Sequence, residues 1–202
     1  MSYSLDANPL TGVAVTYGLG AGGSVSTNNW LEGAYILTVT NGGNTNCLAS
    51  TDQATLTVAS PGDFASGGGW YTLPGSGRVN IGFTVKQVPK TSPVQYKGQF
   101  VLVNNSKWRL KGTLNTYVKT GSAGASAGTG SLFWWNQALN GGLGDWALAA
   151  SSVTYTISFT GGNAKSTGAF GIHIDYAPVP PQPGSLPNAT PTVMKGGGIK
   201  AN

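Results

Sequence analysis

The sequence predicts an all-β protein, an antiparallel β-sandwich of jelly-roll or immunoglobulin-like type, and three observations carry that expectation. Apolar residues recur at every second position in several segments, which is the period of a half-buried strand. Lys and Arg number 11 and Asp and Glu 6, against 32 Gly, so surface polarity comes from hydroxyls and amides and turns are plentiful. Glu32 is the single glutamate, which leaves almost none of the i,i+4 ion pairs that support exposed helices.

The alternation is clearest at 78–86, where Val79, Ile81, Phe83 and Val85 point one way and Arg78, Asn80, Thr84 and Lys86 the other. An antiparallel strand with one wet face reads this way. At 153–160, Val153, Tyr155, Ile157 and Phe159 alternate with Thr154, Thr156, Ser158 and Thr160, and Gly161-Gly-Asn follows as a turn signal. Phe170, Ile172, Ile174 and Tyr176 repeat the pattern. Further strands are predicted at 13–17, 34–40, 54–59, 95–103 and 107–118, each rich in Val, Thr, Tyr or Leu between Gly, Asn or Ser clusters. Gly121 to Gly130 reads as a small-residue loop, and 132–149 as strand, loop, strand with Gly141-Gly-Leu-Gly as the breaker.

A composition break at Ala59-Ser-Pro-Gly-Asp63 divides the chain into 1–60 and 61–202. The first piece is shorter than the roughly 100 residues and seven strands of an immunoglobulin-like sandwich. It is therefore a partial module that is truncated, shares a sheet with the second domain, or borrows a strand. The second piece is a complete β-sandwich domain. Within it, five prolines between Pro178 and Pro187 make 177–191 an extended segment, and Gly196-Gly-Gly-Ile-Lys-Ala, 196–201, is predicted to close the domain as an edge strand.

Charge and composition narrow the function classes. The net charge is +5, but the basic residues are scattered from Arg78 to Lys200 without a run, so no phosphate-tracking patch for nucleic acid is expected. One Cys, Cys47, and one His, His173, exclude an intramolecular disulfide and argue against a zinc site. No Asp-rich loop suits calcium, so neither metal nor cofactor is expected. No apolar run approaches the roughly 20 residues of a membrane-spanning helix. Met-Ser-Tyr-Ser-Leu at the start lacks a signal-peptide pattern, so a secreted form implies a leader outside this sequence; a phage or capsid component made inside the cell would begin the same way.

Catalytic constellations are sought and not found. His173 and Asp175 share a face of a predicted strand, but no nucleophile motif accompanies them. Glu32, Asp6, Asp52, Asp63, Asp145 and Asp175 are the only acids available for glycosidase chemistry, and each adjoins a turn or strand end. Gly67-Gly-Gly-Trp-Tyr lacks the Lys-Ser/Thr of a phosphate loop and reads as a bulge or a close strand approach. Gly-Leu-Gly-Ala-Gly-Gly at 18–23 is followed by no helix, which removes a dinucleotide site. Asn104-Asn-Ser and Asn188-Ala-Thr match the glycosylation triplet, which recurs by chance in an Asn-rich chain.

Two stretches carry a resemblance. Trp30-Leu-Glu-Gly-Ala-Tyr-Ile-Leu-Thr-Val-Thr with Thr51-Asp-Gln-Ala-Thr-Leu-Thr-Val resembles the last strands of hyalin-repeat and PKD-type immunoglobulin-like modules. Ala65-Ser-Gly-Gly-Gly-Trp, Gly77-Arg-Val-Asn-Ile-Gly-Phe-Thr-Val-Lys, Phe170-Gly-Ile-His-Ile-Asp-Tyr and Gly196-Gly-Gly-Ile resemble, in that order, the post-COAP domain. That domain closes large secreted or surface-attached bacterial proteins, and nothing enzymatic is attributed to it. Trp108-Arg-Leu-Lys-Gly-Thr-Leu through Trp146 departs from the aromatic, His-containing stretch expected there. The resemblance implies extracellular or cell-surface β-modules, secreted and adhesive or structural in role.

The expected function is thus a non-enzymatic structural or adhesive β-module whose partners are other protein chains, in a homo-oligomer or filament built by strand addition. Gly196, Gly197, Gly198 and Ile199 are the candidate assembly residues. A rival reading is a carbohydrate-binding module in which Trp134, Trp135 or Trp146 stacks on sugar rings of a polysaccharide. In an extended segment the adjacent Trp134 and Trp135 face opposite sides, so one at most enters the core. A third reading is a phage or capsid-like shell component.

Overall fold

The computed structural model describes residues 2–6, 16–18, 31–41, 50–58, 65–74, 77–105, 107–163 and 168–201. Among them run fifteen strands: β1 Ser2–Asp6, β2 Thr16–Gly18, β3 Gly33–Asn41, β4 Ser50–Val58, β5 Ala65–Leu73, β6 Gly77–Gln87, β7 Tyr96–Asn104, β8 Trp108–Leu114, β9 Val118–Thr120, β10 Ala123–Asn136, β11 Asp145–Thr160, β12 Gly162–Asn163, β13 Ala169–Asp175, β14 Ala189–Val193 and β15 Gly196–Ala201. A single 3₁₀ turn, Asn140–Gly142, is the helical content among the described residues. The fold is all-β, and the strand pairs are antiparallel.

The larger sheet has the order β12-β15-β5-β6-β7-β8-β10-β11-β13-β14, with β9 attached to β10. It folds over itself, so that the inner faces of β5, β6 and β7 meet those of β11 and β13. The Phe83 ring lies 4.7 Å from Phe159 and 6.2 Å from Phe170, and Phe100 lies 5.1 Å from Tyr155. The alternating apolar set of 78–86 supplies one side of this core and those of 153–159 and 170–174 the other. Burying each such ring stabilises the fold by about 1.5–3 kcal/mol.

β14 and β15 are neighbours in sequence, yet β14 pairs with β13 and β15 with β5, near opposite ends of the sheet. Met194 and Lys195 make the crossing. Met194 N donates to Gly168 O at 3.0 Å, and Lys195 N donates to Trp70 O at 2.8 Å. The two C-terminal strands therefore tie the two layers together, and the predicted closing strand at 196–201 pairs with Ala65–Trp70 over its whole length. Before it, the proline-rich segment lies along the core as a strap. Trp108 Nε1 donates to Ser185 O at 2.7 Å, Tyr71 Oη to Pro187 O at 3.3 Å, and Ile174 N to Asn188 Oδ1 at 2.7 Å. Its extended run ends earlier than predicted, since Ala189 to Val193 already form β14 with Pro191 at its outer edge.

The expected loop at Gly121 to Gly130 is instead the first half of β10, a fourteen-residue strand. Its inward positions include the small residues Gly124, Ser126 and Gly128, and the Phe159 ring and the Tyr155 hydroxyl of the next strand stand against the first and last of them. A Cβ on Gly124 would stand 2.6 Å from the Phe159 ring, and one on Gly128 would crowd the backbone of Thr113 and the Tyr155 hydroxyl. Here glycine makes room for rings instead of making a turn, and composition alone does not separate the two uses. The strand expected over 107–118 is shorter as well. It breaks at 115–117, where Tyr117 turns its ring into the core, and resumes as β9.

β2-β1-β3-β4 form the second sheet, which packs on the outer face of the first. β3 lies over β7 and β6, joining Ala34 and Ile36 to Val101 and Val103 in a second apolar cluster. β4 lies over β6 and β5. Polar contacts fix the register: Ala34 N donates to Gln99 Oε1 at 3.2 Å, Thr55 Oγ1 to Ile81 O at 2.6 Å, and Thr57 Oγ1 to Gly67 O at 2.8 Å. Lys86 pairs with Glu32 across the same interface. The composition break at 59–63, the predicted strand residues 13–15, Trp30, Cys47, Asp63 and glycines 20, 22 and 23 lie outside the described residues.

Candidate functional site

The three candidate tryptophans sit where β8, β10 and β11 run side by side. Trp134 pairs with Trp108 on β8, and both side chains face the core. Its neighbour Trp135 turns to the outer face, where it stands in register with Trp146 of β11. Their rings meet edge to face at 5.4 Å and 77°. The Arg109 guanidinium lies 4.5 Å over the Trp146 ring, a cation–π geometry that orients both groups. Trp135 Nε1 donates to Gln137 Oε1 at 3.2 Å, and Gln137 Nε2 to Gly142 O at 2.8 Å, so the 3₁₀ turn is tied to the indole. Gly144 at φ 84° is seated against the Trp135 ring, which would collide with any Cβ there.

Around this pair the outer face carries Phe133 and Leu148, which are opposite each other in register, with Arg109 beside Phe133 on β8. Leu143 in the turn is 76% exposed. The surface is thus apolar and aromatic with a basic border. Sequence reading reached Trp135 and Trp146 but missed Arg109; the signal was the alternation of Trp108-Arg-Leu-Lys, which sends Arg109 to the face opposite the buried Trp108 and Leu110.

Of the residues considered for catalysis, His173 and Asp175 share a face of β13 and the other described ones lie elsewhere. His173 and Asp175 are both exposed, opposite Thr156 and Thr154 on the outer face. Thr154 Oγ1 donates to Asp175 Oδ2 at 3.4 Å. Asp52 accepts from Asn105 Nδ2 at 2.8 Å, Asp145 from its neighbour Trp146 N at 2.7 Å, and Glu32 is paired with Lys86. No group of three or more His, Cys, Asp or Glu side chains comes together among the described residues.

Gly67-Gly-Gly marks a close strand approach. Gly67 accommodates Phe83 and Ile199 inside, whereas Gly68 and its registered neighbour Gly82 lie directly under Thr57 of β4. A Cβ on either would stand 3.0 or 2.9 Å from the Thr57 hydroxyl oxygen. Gly198 of β15 is paired with Gly68, so the glycine row Gly82, Gly68, Gly198 crosses three adjacent strands. Beyond the edge of β4 it opens into a cleft of about 370 Å³, lined by Thr57, Ser66, Gly68, Gly162, Gly198 and Lys200. The candidate assembly residues Gly196 to Ile199 therefore have their backbone engaged by β5, and at Gly198 and Ile199 also by β12.

The acceptor asparagines of both glycosylation triplets are built into the fold. Asn104 is 1% exposed, and Asn188 binds Ile174 through its side chain. Searches of family models, curated proteins and solved structures gave no match to this chain.

Proposed function

We propose that this chain is a non-enzymatic structural and adhesive β-module of a secreted or surface-attached protein, matching what the resemblance to post-COAP and hyalin-type modules implies. The observation that carries the reading is the closure by the two C-terminal strands, with β14 on β13 and β15 on β5. A sheet sewn shut by its own tail is a stiff body that offers faces and edges to other macromolecules. Among the described residues, Glu32 and Asp52 are bonded locally, and His173 and Asp175 share an exposed face of β13 where Asp175 accepts from Thr154. The test is an assay of ester, peptide and glycosidic model substrates with the full chain beside His173→Ala and Asp175→Asn. No turnover that these substitutions abolish is expected, and turnover lost in either variant overturns the reading.

A specific observation favours a second reading, carbohydrate binding. Trp135 and Trp146 stand together on the outer face with Arg109 over one of them, and such aromatic surfaces with an adjacent hydrogen-bonding cation suit sugar rings. Glycan-array binding that disappears in Trp135→Ala and Trp146→Ala supports it. Silence across neutral and acidic polysaccharides retires it.

A further inference from the structure

We infer that the edge of β4, open among the described residues, is together with the glycine floor beside it an acceptor groove for one extended segment of another polypeptide. This deepens the assembling side of the proposed function and rests on it only in taking the chain to act on other macromolecules. The segment adds to β4 as a fifth strand of the small sheet. Its floor-facing side chains are Gly, Ser or Thr, and it carries an acidic residue within reach of Lys200.

The first support is the progression of the layers. β3 lies over β7 and β6 and β4 over β6 and β5, so the next position in the upper sheet falls over β5 and β15. Strands in a sheet stand about 4.7–4.9 Å apart, and one such step from β4 enters the cleft lined by Gly68, Gly198 and Gly162. The floor there is of the same kind that already seats β4. Thr57 rests on Gly68 and Gly82 without intervening side chains, and Gly198 continues that row in register. A strand with small groove-facing residues repeats the existing packing.

The second support is the edge itself. Strand edges are normally guarded by Lys, Pro or brevity. β14 carries Pro191, β9 is three residues long and contains Lys119, and β2 is three residues long. β4 is nine residues long, Ser50–Val58, with neither Lys nor Pro and one charge, Asp52. The Asp145–Val153 half of β11, which β13 leaves unpaired, is the other long edge without Lys or Pro among the described residues, and of the two it is β4 that borders the glycine floor.

The third is selectivity. β15 and β12 project beyond β4, so a folded copy of this chain cannot bring its own β4 alongside: that strand is underlain by its own β5 and β6, which would collide with them. Only a segment with no sheet beneath it fits. Lys200, exposed at the cleft wall, attracts a carboxylate on the incoming strand.

The probe is a fluorescein-labelled peptide with the sequence of β4, Ser-Thr-Asp-Gln-Ala-Thr-Leu-Thr-Val, which has the required Thr spacing and one acid. Fluorescence polarisation against the full chain is expected to show saturable binding, weakened about tenfold or more by Gly198→Val and by Lys200→Glu and unchanged by Trp135→Ala. Two further peptides, N-methylated on odd or on even amides, separate strand addition from side-chain docking. Strand addition requires that one of the two lose binding and the other keep it. This readout does not depend on how Gly198→Val folds. Absence of saturable binding to the full chain, or equal binding of both methylated peptides, overturns the inference while leaving the turnover and glycan tests untouched.

Discussion

Replacing Gly124 by alanine sets two effects of opposite sign against each other. In an open strand position the change stabilises by about 0.4–1 kcal/mol, because the unfolded chain loses freedom. At Gly124 the new Cβ would lie 2.6 and 2.7 Å from two carbons of the Phe159 ring and 3.2 Å from the Tyr117 ring. Phe159 cannot retreat, since it is stacked on Tyr117 at 6.3 Å and 16° and packs against Phe83 at 4.7 Å on its other side. Overpacking of this kind costs about 1–3 kcal/mol. The clash therefore wins, with a net loss of about 1–2 kcal/mol, or ~2–8 °C in Tm for a chain of this size. Urea unfolding of Gly124→Ala beside Gly184→Ala, whose Cβ meets nothing within 4 Å, measures both terms. Gly184→Ala is expected to equal or exceed the parent. Adding Phe159→Leu to Gly124→Ala should cost less than the two changes separately, a coupling that a double-mutant cycle reads directly. If Gly124→Ala is as stable as the parent, the account of β10 as a glycine bed for aromatic rings is wrong.

Burial raises the pKa of both Tyr71 and Tyr155 above the ordinary 10.0. The unfolded chain therefore gives up these protons first, and stability that is whole below about pH 10 declines above it. The slope approaches about 1.4 kcal/mol per pH unit per group. Denaturation midpoints between neutral and strongly alkaline pH should fall accordingly, and Tyr155→Phe should make that fall shallower. Asn104 is buried, and neither of its polar side-chain atoms has a hydrogen-bond partner among the described residues. Asn104→Leu should consequently be neutral or stabilising by up to about 3 kcal/mol, and a marked loss in thermal unfolding would refute that assignment. Trp108→Phe, which removes the donor to Ser185 O, should loosen the strap. Limited proteolysis between Ala177 and Leu186 is expected to quicken, and unchanged cleavage would show that the strap is held elsewhere.

The period-2 pattern made the core strands legible: 78–86, 153–160 and 170–176 each carry an uninterrupted greasy face that admits only one pleated register. β10 was not legible, because its inward face is made of absent side chains, and their necessity appears only when Phe159 and Tyr155 lie across them. The opposite orientations of Trp134 and Trp135 followed from strand geometry, and the partner of each did not. Trp134 meets Trp108 through a pairing of β10 with β8, and Trp135 meets Trp146 across a turn whose length sets the register. The glycine row through Gly82, Gly68 and Gly198 was invisible for the same reason: its members come from three strands, and only the sheet order aligns them.

Ala65 and Ala201 are registered partners, and this sets a timetable for biogenesis. Until residues 196–201 have been made, β5 has its partner on the β6 side while its other side stays uncovered. The domain can therefore complete its fold only once β15 has left the ribosome, passing through a stage with a long, glycine-rich margin open to solvent. Non-local pairing of this sort folds slowly and invites association in the interval. The folded yield is therefore expected to fall as the concentration of newly made chain rises.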